Sequence, residues 1–113
     1  MKFLPNKKDI IILNQEFDQG KLNNEASLDF ALDYARRTEN RTKALAYLAR
    51  AILIDHVFEE GNKRTAALLI NAYAEYEGHK VINEKLLLII KKIIKRNTTS
   101  IAKIEEMIKD AIK

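Results

Sequence analysis

Cysteine is absent from this 113-residue chain, which excludes a disulfide framework, a thiolate metal site and a thiol nucleophile. That fits a reducing cytoplasm. Tryptophan is also missing, aromatics are 7% of residues, and there are one proline and three glycines, a composition of packed helices rather than of a strand-rich fold. Leu, Ile and Ala dominate instead, and the fold class they predict is all-α. The longest strongly apolar run, 86–90, is far too short to span a bilayer. The first residues reach charge quickly and carry no secretory leader pattern, so we expect a soluble cytoplasmic protein with no membrane partner. At this length one domain over residues 1–113 is expected.

The net charge of +4 is unevenly placed, with residues 1–79 at net −1 and residues 80–113 at net +5. The densest basic run, Lys91, Lys92, Lys95 and Arg96, has no interleaved aromatics and reads as the solvated face of an amphipathic helix. A nucleic-acid partner is therefore not expected.

Apolar spacing predicts about six helices. Ile10, Ile11, Leu13 and Phe17 mark a first helix over 6–19, stopped by Gly20; Leu28, Ala31, Leu32 and Ala35 mark a second over 25–36, capped by Asn24 or Ser27. Residues 36–42 contain no apolar side chain and are expected to form an exposed loop. Leu45, Leu48, Ala49 and Ile52 fall on one face of a third helix over 43–55. Ala66, Leu69, Ile70, Tyr73 and Tyr76 continue a fourth over 63–77 up to Gly78, and two amphipathic helices follow, the first capped by Asn83.

Helices joined by so short a loop usually pack antiparallel, which brings His56 close to Asn62. The new helix exposes unpaired backbone N–H groups near Gly61 and its dipole attracts anions. Gly61 removes a Cβ that would keep a phosphate away, Asn62 is available as a cap, and Lys63 and Arg64 add two cations where the dipole already favours negative charge. Glu59 and Glu60 would repel a phosphate unless a divalent cation bridged carboxylate and phosphate oxygens, and Mg²⁺ with a nucleotide is the simplest completion. His56, with an ordinary pKa near neutrality, is the natural general base for a hydroxyl, and Phe58 should turn inward as an anchor. Taken singly, each residue has an ordinary structural reading; their joint spacing is what points to chemistry. Lys63 keeps the alternative of a solvated charge. His79, beyond Gly78, is assigned no role.

The run His56, Val57, Phe58, Glu59, Glu60, Gly61, Asn62, Lys63, Arg64, Thr65 resembles the Fic/Doc family signature His-x-Phe-x-(Asp/Glu/Asn)-(Gly/Ala)-Asn-(Gly/Lys)-Arg, closest to the Doc, or death-on-curing, branch. The resemblance implies a compact bundle around a central antiparallel helix pair that carries the active-site loop. It implies His56 as catalytic base, Glu60 as the Mg²⁺-binding acid, Gly61 and Asn62 as the anion nest, and Lys63 and Arg64 on the phosphates, with ATP as donor. Val57, Lys63 and Ala67 depart from the residues usual in AMP-transferring members. With Lys63, the Doc branch implies a reversed nucleotide and phosphoryl transfer to a Ser or Thr hydroxyl of a protein target. AMP transfer is the alternative, and a non-catalytic protein- or nucleic-acid-interaction module is the alternative of another class. Residues 36–42 are the expected target-docking flap. The inhibitory pattern (Ser/Thr)-x-x-x-Glu-(Gly/Asn) does not occur in these residues, so the resemblance implies regulation by an antitoxin in trans.

Overall fold

A computed structural model describes Phe3 and residues 5–113 of the chain, and among these the regular structure is entirely helical. The elements are α1 (Lys7–Gln15), α2 (Glu25–Arg37), α3 (Arg41–Leu53), α4 (Asn62–Tyr76), α5 (Asn83–Lys95) and α6 (Ile101–Ala111). The all-α expectation holds.

α3 is the central element. Ala44, Leu45, Ala46, Leu48, Ala49, Ala51, Ile52 and Leu53 are all buried, so the helix is apolar on nearly every side, as a helix enclosed by others must be. Its alanines allow close approach by α2, α4, α5 and α6, which all pack against it. Leu45, Leu48, Ile52, Leu69, Ile70, Ile93 and Ile104 meet in one core; each such side chain contributes about 1.5–3 kcal/mol by leaving water. α1 lies outside this centre, against α4 and α2. The chain end is tied back where Ile82 N–H donates to the Ala111 carbonyl at 2.8 Å and Lys113 N–H to the Lys80 carbonyl at 2.7 Å.

Four helices start on a side-chain cap: Asn6 in a reciprocal box with Asp9, Asn24 accepting from Ser27 N–H, Asn40 from Lys43 N–H, and Ser100 from Lys103 N–H. α4 and α5 start without one, on Gly61 and Ile82. The caps expected at Asn62 and Asn83 are therefore corrected: both are the first residues inside their helices.

Two boundaries also differ from the sequence expectation. α1 ends at Gln15 rather than near 19, because the chain curls around Asn14: Phe17 and Asp18 N–H both donate to its carbonyl, and Gly20 N–H donates to its side-chain oxygen at 2.8 Å. Phe17 is accordingly left at the surface, not in the apolar stripe. The expected loop over 36–42 shrinks to residues 38–40. Arg36 and Arg37 complete α2, where basic charge suits the end of the helix dipole and Arg37 pairs with Asp33 at 2.7 Å. Asn40 then starts α3 two residues early.

Candidate active site

The connection between α3 and α4 covers residues 54–61. It is fastened on one side to residues 21–24. Asn23 and Asn24 N–H both donate to the Val57 carbonyl, at 2.7 and 3.1 Å, and Glu59 N–H donates to the Lys21 carbonyl at 3.0 Å, making a single antiparallel bridge between Leu22 and Phe58. The side-chain amides of Asn23 and Asn24 donate to the carbonyls of His56 and Asp55. Val57 and Phe58 are buried, so the inward anchor has two members where one was expected. Between these fixtures His56 sits at φ 52, a left-handed conformation that costs a non-glycine residue roughly 1–2 kcal/mol. Its imidazole is exposed and makes no hydrogen bond or ion pair among the described residues. That leaves it open to a reactant.

The other end of the loop is a helix start with no side-chain cap. Gly61 occupies φ 78, and the first backbone bond of α4 runs from Thr65 N–H to the Gly61 carbonyl at 2.9 Å. The N–H groups of Gly61, Asn62, Lys63 and Arg64 therefore have no hydrogen-bond partner among the described residues. Four donors, the positive end of a 15-residue dipole and the exposed cations Lys63 and Arg64 converge there. The Arg64 guanidinium lies 5.5 Å from the centre of the Phe17 ring, which steadies it without neutralising it.

Asn62 does not cap. Its Oδ1 accepts from Phe58 N–H at 3.0 Å and its Nδ2 donates to the Phe58 carbonyl at 2.9 Å. Nor was Asn14 anticipated from sequence, yet it is 1% exposed and its Nδ2 donates to both the Glu60 carbonyl, at 2.9 Å, and Thr65 Oγ1, at 3.0 Å. Thr65 Oγ1 in turn donates to the Gly61 carbonyl at 2.7 Å. The only advance signal was a polar residue at a position where the apolar stripe of α1 faces inward.

Of the two loop carboxylates, Glu59 leans on Lys21 at 3.6 Å, while Glu60 is exposed with no ion pair among the described residues. Among the described residues no group of three or more His, Asp or Glu side chains is placed to hold a metal ion. A single carboxylate beside an anion-receptive helix start fits a hard cation that takes its remaining oxygens from phosphate and water, the usual habit of Mg²⁺. Asp18 also approaches this site: its carboxylate would lie 3.6 Å from a Cβ built on Gly61.

Residues 36–42 do not belong to the site. They sit at the start of α3 whereas His56 follows its end, and 13 helical residues separate the two by roughly 20 Å. The flap assignment is corrected accordingly: the segment next to the loop is 20–24. A groove of about 680 Å³ lies elsewhere, between α5 and α6, lined by Lys92 and Arg96 at the α5 side and by Lys103, Glu106 and Asp110 of α6. An anion held by backbone N–H groups at a helix start needs no deep cavity.

The loop thus carries an exposed imidazole at one end and an open, cationic helix start, receptive to an anion, at the other. The profile of the Fic/DOC family matches residues 9–74, more than half of the chain, and the chain belongs to that family. Members of the family are generally protein transferases. The matched segment contains α1 from Asp9 onward, with Asn14, and the whole 54–61 loop. No curated protein and no solved structure matched the chain.

Proposed function

We propose that the protein moves the terminal phosphoryl group of Mg-ATP onto a Ser or Thr hydroxyl of a target protein, in the manner of the Doc branch of its family. The observation that carries this reading is Lys63. It stands in the first turn of α4, exposed and without an ion pair among the described residues, where AMP-transferring relatives have glycine. A cation in that turn works against the helix dipole by about 0.3–1 kcal/mol unless an anion is present. A polyphosphate spread over the first turn supplies that anion.

In the proposed reaction His56 accepts the proton of the incoming hydroxyl as its oxygen forms a bond to the γ-phosphorus. The bond from that phosphorus to the β,γ-bridging oxygen breaks, and ADP leaves with the electron pair. The N–H groups of Gly61 to Arg64 and the side chains of Lys63 and Arg64 hold the phosphates, and Glu60 would hold the cation. Bound Mg²⁺ would neutralise charge on the phosphate oxygens. The target protein docks beside segment 20–24, which already lends backbone bonds to the loop. A toxin role with an antitoxin in trans is proposed by analogy with the Doc branch.

ATP labelled separately at the α- and γ-phosphates and incubated with cell lysate tests the reading. Label should enter protein from the γ position only. Label from the α position alone would establish AMP transfer, and no label from either position, with bound nucleotide unchanged, would favour the interaction-module reading.

A further inference from the structure

Asn14 lies in α1, outside the helix pair that frames the loop, yet its carboxamide touches three parts of the site. Its two N–H donors go to the Glu60 carbonyl at 2.9 Å and to Thr65 Oγ1 at 3.0 Å; its oxygen takes the Gly20 N–H at 2.8 Å. The group is 1% exposed, and no buried side-chain nitrogen or oxygen among the described residues is left without a partner. Every hydrogen of the amide is committed, so the carboxamide has one orientation only.

That orientation has a consequence for the anion site. In a trans peptide the C=O and the following N–H point in opposite directions, and no peptide bond in the described chain is cis. Holding the Glu60 carbonyl toward α1 therefore turns the Gly61 N–H away from the Asn14 carboxamide, and that N–H, like those of Asn62 to Arg64, has no partner among the described residues. The bond from Asn14 to Thr65 Oγ1 acts in the same sense, because that hydroxyl must then donate to the Gly61 carbonyl, at 2.7 Å, closing the first turn of α4. A Cβ on Gly61, strained already at φ 78, would meet Asn14 Nδ2 at 3.0 Å and press the carboxamide out of this position.

We propose that Asn14 is a positioning residue for the anion nest, setting the Glu60–Gly61 peptide so that the Gly61 N–H joins the donors of α4. The proposal rests on the phosphate-site reading above. It makes α1 part of the binding machinery although no α1 side chain need touch the phosphates.

The test uses tripolyphosphate as probe and backbone amide NMR of the full chain. In the wild-type protein the amides of Gly61, Asn62, Lys63 and Arg64 should shift on titration, and the Asn14 side-chain NH₂ signals should shift with them. Asn14→Asp keeps the size and the acceptor for Gly20 but loses both donors; the Gly61 amide should move in the ligand-free protein and tripolyphosphate affinity should fall about tenfold or more. Thr65→Ser keeps the hydroxyl and should retain wild-type affinity, which a simple loss of packing would not predict. A folded Asn14→Asp protein with wild-type affinity overturns the proposal and leaves the phosphate site standing. A wild-type protein whose 61–64 amides do not respond removes the site, and the proposal with it. Should Asn14→Asp not fold, the wild-type Asn14 NH₂ signals decide: no response while the 61–64 amides shift overturns the proposal.

Discussion

Asn62 holds Phe58 at both ends of its backbone, accepting from its N–H at 3.0 Å and donating to its carbonyl at 2.9 Å. A first-turn side chain thus reads back into the loop and ties the start of α4 to the segment that carries His56. Asn62→Ala should lose both bonds and about 1–3 kcal/mol of stability, measured by urea unfolding. Asn62→Asp keeps the acceptor for Phe58 N–H but adds a negative charge to the first turn of α4; it should weaken Mg-ATP binding more than Asn62→Ala does, in a direct calorimetric titration. The reverse order would count against an anion at this turn.

Gly61 and Gly78 make a matched pair. Both have positive φ, 78 and 75, but a Cβ on Gly61 meets Asn14 Nδ2 at 3.0 Å while one on Gly78 meets nothing within 4 Å. Gly78→Ala should cost only the left-handed backbone penalty, roughly 1–2 kcal/mol. Gly61→Ala should cost more, and it alone should reduce nucleotide affinity. Equal losses in thermal unfolding would mean that the Asn14 contact yields freely.

The helices and the loop were legible because each rests on local signals: Leu45, Leu48, Ala49 and Ile52 repeat at helical spacing, and the run from His56 to Arg64 is contiguous. Residues 36–42 misled because polarity marks exposure rather than loop; Arg36 and Arg37 are good helix formers at an end that favours their charge. Asn14 and segment 20–24 were invisible for another reason. Their partners, Glu60, Thr65, Val57 and Glu59, lie more than 30 residues away in sequence, and no spacing rule reaches that far. The end of α1 was missed with them, since what stops the helix is the Asn14 side chain capturing Gly20 N–H.

Lys7 links α1 to α2, with Nζ 2.6 Å from Glu25 and 2.7 Å from Asp29. Its bonds to Asp29 and Glu25 raise its pKa above the usual lysine value. A raised folded-state pKa gives stability that is fully present below the unfolded value, about 10.4, and is lost as pH climbs through the folded one. The melting-temperature gap between wild type and Lys7→Met should therefore hold steady from neutral pH to about 10 and close above it. A gap that closes well below that range would show that the carboxylates do not hold the ammonium in solution.

His56 carries two demands, a left-handed backbone at φ 52 and an exposed imidazole, and a variant can separate them. Asparagine tolerates positive φ but is no base at neutral pH. His56→Asn should unfold within about 1 kcal/mol of wild type and bind Mg-ATP as wild type does, while transfer to the target falls by about 10²–10⁴-fold. His56→Val, β-branched in a conformation it resists, should lose transfer and also roughly 1–2 kcal/mol of stability. The contrast identifies what the imidazole does. Loss of nucleotide affinity in His56→Asn would make it a phosphate ligand; unchanged transfer would remove it as the base and leave the left-handed turn as the only reason for a polar residue at that position.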